Sequence, residues 1–146
     1  MKRSTGLRNY MLATGSFKAG LAGTVLTVYS GTAPASADAA LSGDAVPLLT
    51  YSLNGTGGGV SLEANAADGS IQKSSSEVWQ GQITVSGTPT FFRMQLPSDA
   101  GGASVTLNRL QGTVGLIDAD MIVSSTTWTA GDERKVNYFT ASIAAG

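Results

Sequence analysis

The chain of 146 residues contains no cysteine and no histidine. Without cysteine there are no disulfides, no thiolate-held zinc, no iron–sulfur cluster and no thiol nucleophile. Without histidine the commonest general base and the commonest metal ligand are gone, and a Ser-His-Asp or Cys-His catalytic machine is excluded. Charge is scarce as well: 13% of the residues are charged, against about a quarter in an ordinary globular domain. Much of the polar surface must then come from Ser, Thr, Asn, Gln and backbone. Such a surface suits burial against neighbours, where charge is costly to desolvate, and it equally suits an ordinary small Ser/Thr-rich β domain. There is no long apolar run. The longest uncharged stretch, residues 19–37, is mostly small and polar and contains Pro34, so no membrane span is expected. Acids, finally, are missing from the whole of residues 1–37.

That last absence divides the chain. Residues 1–37 carry Lys2, Arg3, Arg8 and Lys18, a net +4, while the remainder carries ten acids and five bases, a net −5. A basic segment thus precedes an acidic body. It does not read as a signal peptide, because Arg8, Asn9 and Lys18 interrupt any apolar core, despite the small-residue triplet at 35–37. Four bases with no Lys/Arg run are a thin footprint for nucleic acid, so nucleic acid is not the expected partner. An acidic protein surface suits them as well, and a solvated asymmetry with no partner is the third option.

With 42% hydrophobic residues, one domain with a real core is expected. Ser4 or Thr5 is placed to cap a helix over about 6–14, with Leu7, Tyr10 and Met11 on one face and Gly15 as its stop. Beyond it the sequence is β-like. Strands are expected at 24–29, 48–53, 60–64, weakly at 71–74, at 78–86, 90–96, 105–110, 119–124 and 135–143. The segments 82–86 and 90–96 alternate on either side of Ser86-Gly-Thr-Pro89 and read as a β-hairpin, with Phe92, Met94 and Leu96 inward and Phe91, Arg93 and Gln95 on the other side. Eight or nine short strands with glycine turns indicate an all-β, antiparallel β-sandwich of jelly-roll-like type with a short N-terminal helical arm. The domains are then 1–23, the basic arm, and 24–146, the sandwich.

Motifs that could carry chemistry are incomplete. Asp118-Ala-Asp120 offers two carboxylates on one strand face, but a calcium site needs more oxygen ligands than this pair supplies. Asn54-Gly-Thr-Gly-Gly-Gly59 lacks the Gly-Lys-Ser/Thr ending of a phosphate loop and precedes a strand instead of a helix. Nothing in the spacing of Glu63, Glu77 and the aspartates singles out an acid/base pair. Trp79 reads as core, and Trp128, inside Ser124-Ser-Thr-Thr-Trp-Thr129, as the more exposed of the two tryptophans. No catalytic residue, cofactor or metal is expected.

Several stretches resemble small structural proteins of tailed-bacteriophage and prophage virions. They are Ser4-Thr-Gly-Leu-Arg-Asn-Tyr-Met-Leu-Ala-Thr-Gly-Ser-Phe-Lys-Ala-Gly-Leu21, residues 27–41, Glu77-Val-Trp-Gln-Gly81, residues 86–94 and Leu110-Gln-Gly-Thr-Val-Gly115. The resemblance implies a capsid decoration or cement protein, made in the bacterial cytoplasm and carried on the outside of the major capsid lattice. It implies the major capsid protein as partner, and lattice symmetry axes favour a homodimer or homotrimer. Lys2, Arg3, Arg8 and Lys18 would then meet acidic patches of the shell, with Leu7, Tyr10, Met11 and Phe17 supplying buried area. A tail or fibre module that recognises a host glycan or protein, through an aromatic groove around Trp128, is the second expectation. An enzyme acting on cell-wall glycans is the third.

Overall fold

The computed structural model describes residues 1–145. Two short helices, α1 (Thr5–Ala13) and α2 (Phe17–Gly20), lie near the amino end. The strands are β1 (Lys2–Arg3), β2 (Val25–Ser30), β3 (Val46–Leu53), β4 (Ser70–Gln72), β5 (Trp79–Gln82), β6 (Phe91–Gln95), β7 (Leu110–Gly115), β8 (Met121–Ile122), β9 (Glu133–Val136) and β10 (Thr140–Ser142). The class is therefore mainly β. The main sheet runs β1-β7-β6-β2-β3-β5-β9, antiparallel throughout, with β8 added parallel to β7, and β4 and β10 form a separate antiparallel pair.

The core lies on one face of the long sheet. Leu26 and Val28 of β2, Phe92 and Met94 of β6, and Leu110 and Val114 of β7 alternate onto it with the period of two that a strand imposes. Phe139 closes this core, with its ring 5.6 Å from that of Trp79 and edge-on to Phe92 at 5.7 Å. The opposite face holds Thr27, Tyr29, Phe91, Arg93, Gln95 and Gln111, and it too is buried. Two irregular segments cover it, 34–41 and 99–104. They are tied to each other by Leu41 N–H to Gly101 O and Ser104 N–H to Asp38 O.

Several expectations are corrected. The 82–86/90–96 hairpin does not form. β5 pairs with β3 and β9, and β6 with β2 and β7, so the Ser86–Pro89 turn carries the chain between non-adjacent strands. Its alternating residues are real strand signals, but a long-range partner with a matching apolar face outcompetes the local one. Leu96 is half-exposed and lies beyond the end of β6. The strand expected at 105–110 begins only at Leu110. Residues 60–64 make a single bridge, Leu62 to Lys73, in place of a strand.

The segment 1–23 is not a separate arm. β1 is the edge strand of the main sheet, with Lys2 opposite Gln111 and Arg3 opposite Leu110. Leu7 is fully buried in the core, and the Met1 ammonium pairs with Asp120 at 2.8 Å.

Candidate functional site

Ser4 fixes the basic segment. Its hydroxyl accepts from Leu7 N–H at 3.1 Å, capping α1, accepts from Arg109 N–H at 2.9 Å, and donates to Leu107 O at 2.8 Å. One buried hydroxyl therefore both starts the helix and fastens it to the chain entering β7. Met11 and Phe17 pack on the core and Tyr10 is half-buried. Lys2 is exposed and its Nζ donates to Ala35 O at 2.8 Å; Arg3 is half-buried beside it. Arg8 is exposed, with Nη2 donating to Thr5 Oγ1 at 2.8 Å. Lys18 and Phe17 line a mostly apolar cavity of about 350 Å³ with Ile71 and Ile143. The eight residues expected to dock thus separate. Leu7 has no surface to offer, and the outward face of α1 is Arg8, Asn9 and Leu12, the last 85% exposed and unremarked in the sequence.

A second cluster lies under the two covering segments. Arg109 and Arg93 are fully buried. Arg109 grips Asp99 through Nε at 2.6 Å and Nη2 at 2.7 Å, and also donates to Ala37 O and Gly102 O. Among the described residues Arg93 has no carboxylate partner. It donates to Gln111 Oε1 at 2.7 Å and to Ala39 O at 3.1 Å, and its buried Nη1 has no partner among the described residues. Burial pushes the Arg93 guanidinium down from its ordinary value, and the neighbouring Arg109 charge adds to this. Burial pushes the Asp99 carboxyl up, but the Arg109 hydrogen bonds, Gly101 N–H and both arginine charges outweigh it, leaving the group below the usual carboxylate range. The only sign of this cluster in the sequence is that Arg93 shares a strand face with Phe91 and Gln95, and a basic residue there ordinarily reads as solvated.

Four further carboxylates have structural roles. Asp120 accepts from the Met1 ammonium and from Thr113 N–H at 3.0 Å, and Asp118 turns the chain with φ 50°. Glu77 accepts from Ser61 N–H and Trp79 Nε1, and Glu63 from Ser75 N–H. Among the described residues, no three Asp, Glu, His or Cys side chains gather where they could hold a metal ion.

A concavity of about 760 Å³ forms an open groove between β8 and β9. Trp128 forms part of its floor and is 1% exposed, which corrects the expectation of an exposed tryptophan. Its Nε1 donates to Ser125 O, and the Arg134 guanidinium lies over its ring at 4.9 Å. Burial pushes the Tyr51 phenol beside it up to about 12. The rim carries Ile122 and Tyr138, 59% and 69% exposed. No protein-family model, curated protein or solved structure matches this chain.

Proposed function

We propose that this chain is a non-enzymatic structural component of a tailed-phage virion, a decoration or cement protein that binds the outside of the major capsid lattice and stabilises the head. The observation that carries this reading is the outward face of α1. Arg8 and Leu12 stand in solvent on a helix whose other side is anchored by Leu7 and Ser4. The one acid at its start, Asp38, is occupied by Thr5 N–H and Oγ1, both at 2.7 Å. A rigidly mounted cationic and apolar face suits an acidic, partly apolar shell surface, because little ordering entropy is lost on docking. The virion-like wording of residues 4–21 coincides with this helix.

The body is read as a β-sandwich of jelly-roll-like type. This is supported by a long antiparallel sheet whose edge strand β9 lines one groove together with β8, the strand added to β7. Association as a homodimer or homotrimer at a lattice symmetry axis belongs to the same reading. The alternative, a tail or fibre module binding a host glycan or protein, draws on Tyr138 at the groove rim instead of on Trp128.

Mass spectrometry of purified particles tests the assignment. A decoration protein is found on heads in a copy number that scales with the major capsid protein. Absence from heads, or a few copies confined to tails, would sink it.

A further inference from the structure

Among the described residues, β8 and β9 are both unpaired on the side that faces the groove. Just before β9, Ile83 N–H bonds to Asp132 O, and Gly131 N–H bonds to Ile83 O. From there the register runs Gln82 to Glu133, Gly81 to Arg134, Gln80 to Lys135 and Trp79 to Val136. Antiparallel strands exchange hydrogen bonds at alternate pairs. Arg134 and Val136 therefore turn their backbone groups towards β5, while Glu133 and Lys135 turn theirs to the open edge. The other side of β5 has the complementary phase: Asn54 N–H bonds to Val78 O and Thr84 N–H to Leu48 O. In β8, Val123 N–H bonds to Gly115 O on the β7 side, so the N–H and C=O of Ile122 point the other way. Among the described residues, none of the six backbone groups of Ile122, Glu133 and Lys135 has a partner.

Between these edges lie two buried side-chain atoms with no partner among the described residues, Arg134 Nε and Thr140 Oγ1. The floor is apolar, with Trp128 and Val136. Asp120 already holds the Met1 ammonium, which leaves Arg134 and Lys135 against Glu133 among the groove charges. We propose that the groove binds an extended, acidic segment of another protein, which adds as a β-strand to the open edge of β9. Its backbone satisfies Glu133 and Lys135, alternate apolar side chains sit towards Trp128, and a carboxylate or carbonyl meets Arg134. Strand addition of this kind draws affinity from main-chain bonds and specificity from the pockets beneath alternate residues. The inference rests on the two edges and stands whether or not the partner is a capsid shell.

Proline at position 135 tests it. Lys135→Pro deletes an N–H that makes no bond to β5, so the fold is retained, as proline is tolerated on an edge strand with its nitrogen outward. The probe is a library of random heptapeptides selected against the full chain, with binding of the enriched, fluorescently labelled peptides read by anisotropy. The expected result is enrichment of alternating apolar sequences with an acidic residue, whose affinity falls about tenfold or more in Lys135→Pro and changes less than about threefold in Lys135→Ala, where only the side chain is lost. If Lys135→Pro lowers the melting temperature markedly, Glu133→Pro, which removes the other outward N–H, takes its place. No enrichment, or enriched peptides indifferent to both prolines, would overturn the proposal. So would a dimer in light scattering that Lys135→Pro dissolves, since the occupant would then be a second copy.

Discussion

Arg109 holds Asp99 in a two-pronged contact, at 2.6 and 2.7 Å, with both side chains almost entirely out of water. The pair ties the start of β7 to segment 99–104, and the same guanidinium reaches Ala37 O across the second covering segment. Removing one partner leaves the other charge buried. Asp99→Ala is expected to cost about 3–5 kcal/mol of stability, read from urea denaturation, because an uncompensated buried cation is costly. Arg8→Ala, at an exposed position, should cost less than about 0.5 kcal/mol. Equal effects would contradict the network.

The pH dependence of stability follows from groups whose folded-state values depart from the ordinary ones. Asp99 and Asp120 are held low, each pushed up by burial but pulled down further by its hydrogen bonds and ion pair. A lowered carboxyl contributes stability above its unfolded value near 3.8 and loses it as pH falls through the folded value. Thermal unfolding followed by circular dichroism should show the melting temperature dropping below about pH 4, and Asp99→Asn should flatten that drop. At the alkaline end Tyr51 is raised by burial to about 12 from 10.0. The unfolded chain ionises first, so stability falls as pH rises from 10.0 towards about 12. Tyr51→Phe should remove part of that fall.

Gly6, in the first turn of α1, lies against the chain that leads into β7. A Cβ there would come 2.6 Å from Leu107 O and would also strike Thr106 O. What would have to move is backbone. Gly6→Ala, normally favourable in a helix, is expected instead to lose about 1–3 kcal/mol through overpacking, measured by thermal unfolding. A stabilised variant would show that the helix does not sit this closely.

Deleting residues 1–21 is expected to prevent folding, because it removes β1, the Ser4 cap and Leu7. Near-ultraviolet circular dichroism should then lack a native signal. Docking is tested better by Arg8→Glu with Leu12→Asp, both on the outward face of α1. This variant should keep its melting temperature within a few degrees, roughly the shift expected for surface changes, and lose co-sedimentation with phage heads. Undiminished co-sedimentation would move the shell contact elsewhere.

Local signals in the sequence led to correct local structure. Ser4 does cap a helix that reaches Ala13, and the stretch 24–29, rich in β-branched and aromatic residues, falls on β2 in the middle of the sheet. Trp79 is core. The antiparallel pairing expected of the strands is present, but the one specific pairing expected, the 82–86/90–96 hairpin, is not. The turn at Ser86–Pro89 looks like a hairpin because its flanks alternate, but Phe92 and Met94 find better-matched faces on β2 and β7.

Composition and order along the chain by themselves determined three things: that no thiol or imidazole chemistry is available, that short β-strands dominate, and that the bases of the first 37 residues stand apart from all the acids. Those follow from what each side chain is and from its nearest neighbours. Only the tertiary structure decided what the charges do. It buried Arg93 and Arg109 beneath two covering segments, wove Lys2 and Arg3 into the edge of the sheet, and left Arg8 and Leu12 outside. The reason is that burial and strand pairing are set by contacts between residues far apart in the chain, such as Arg93 with Ala39 or Ser4 with Arg109, and no local pattern encodes which distant surface will arrive.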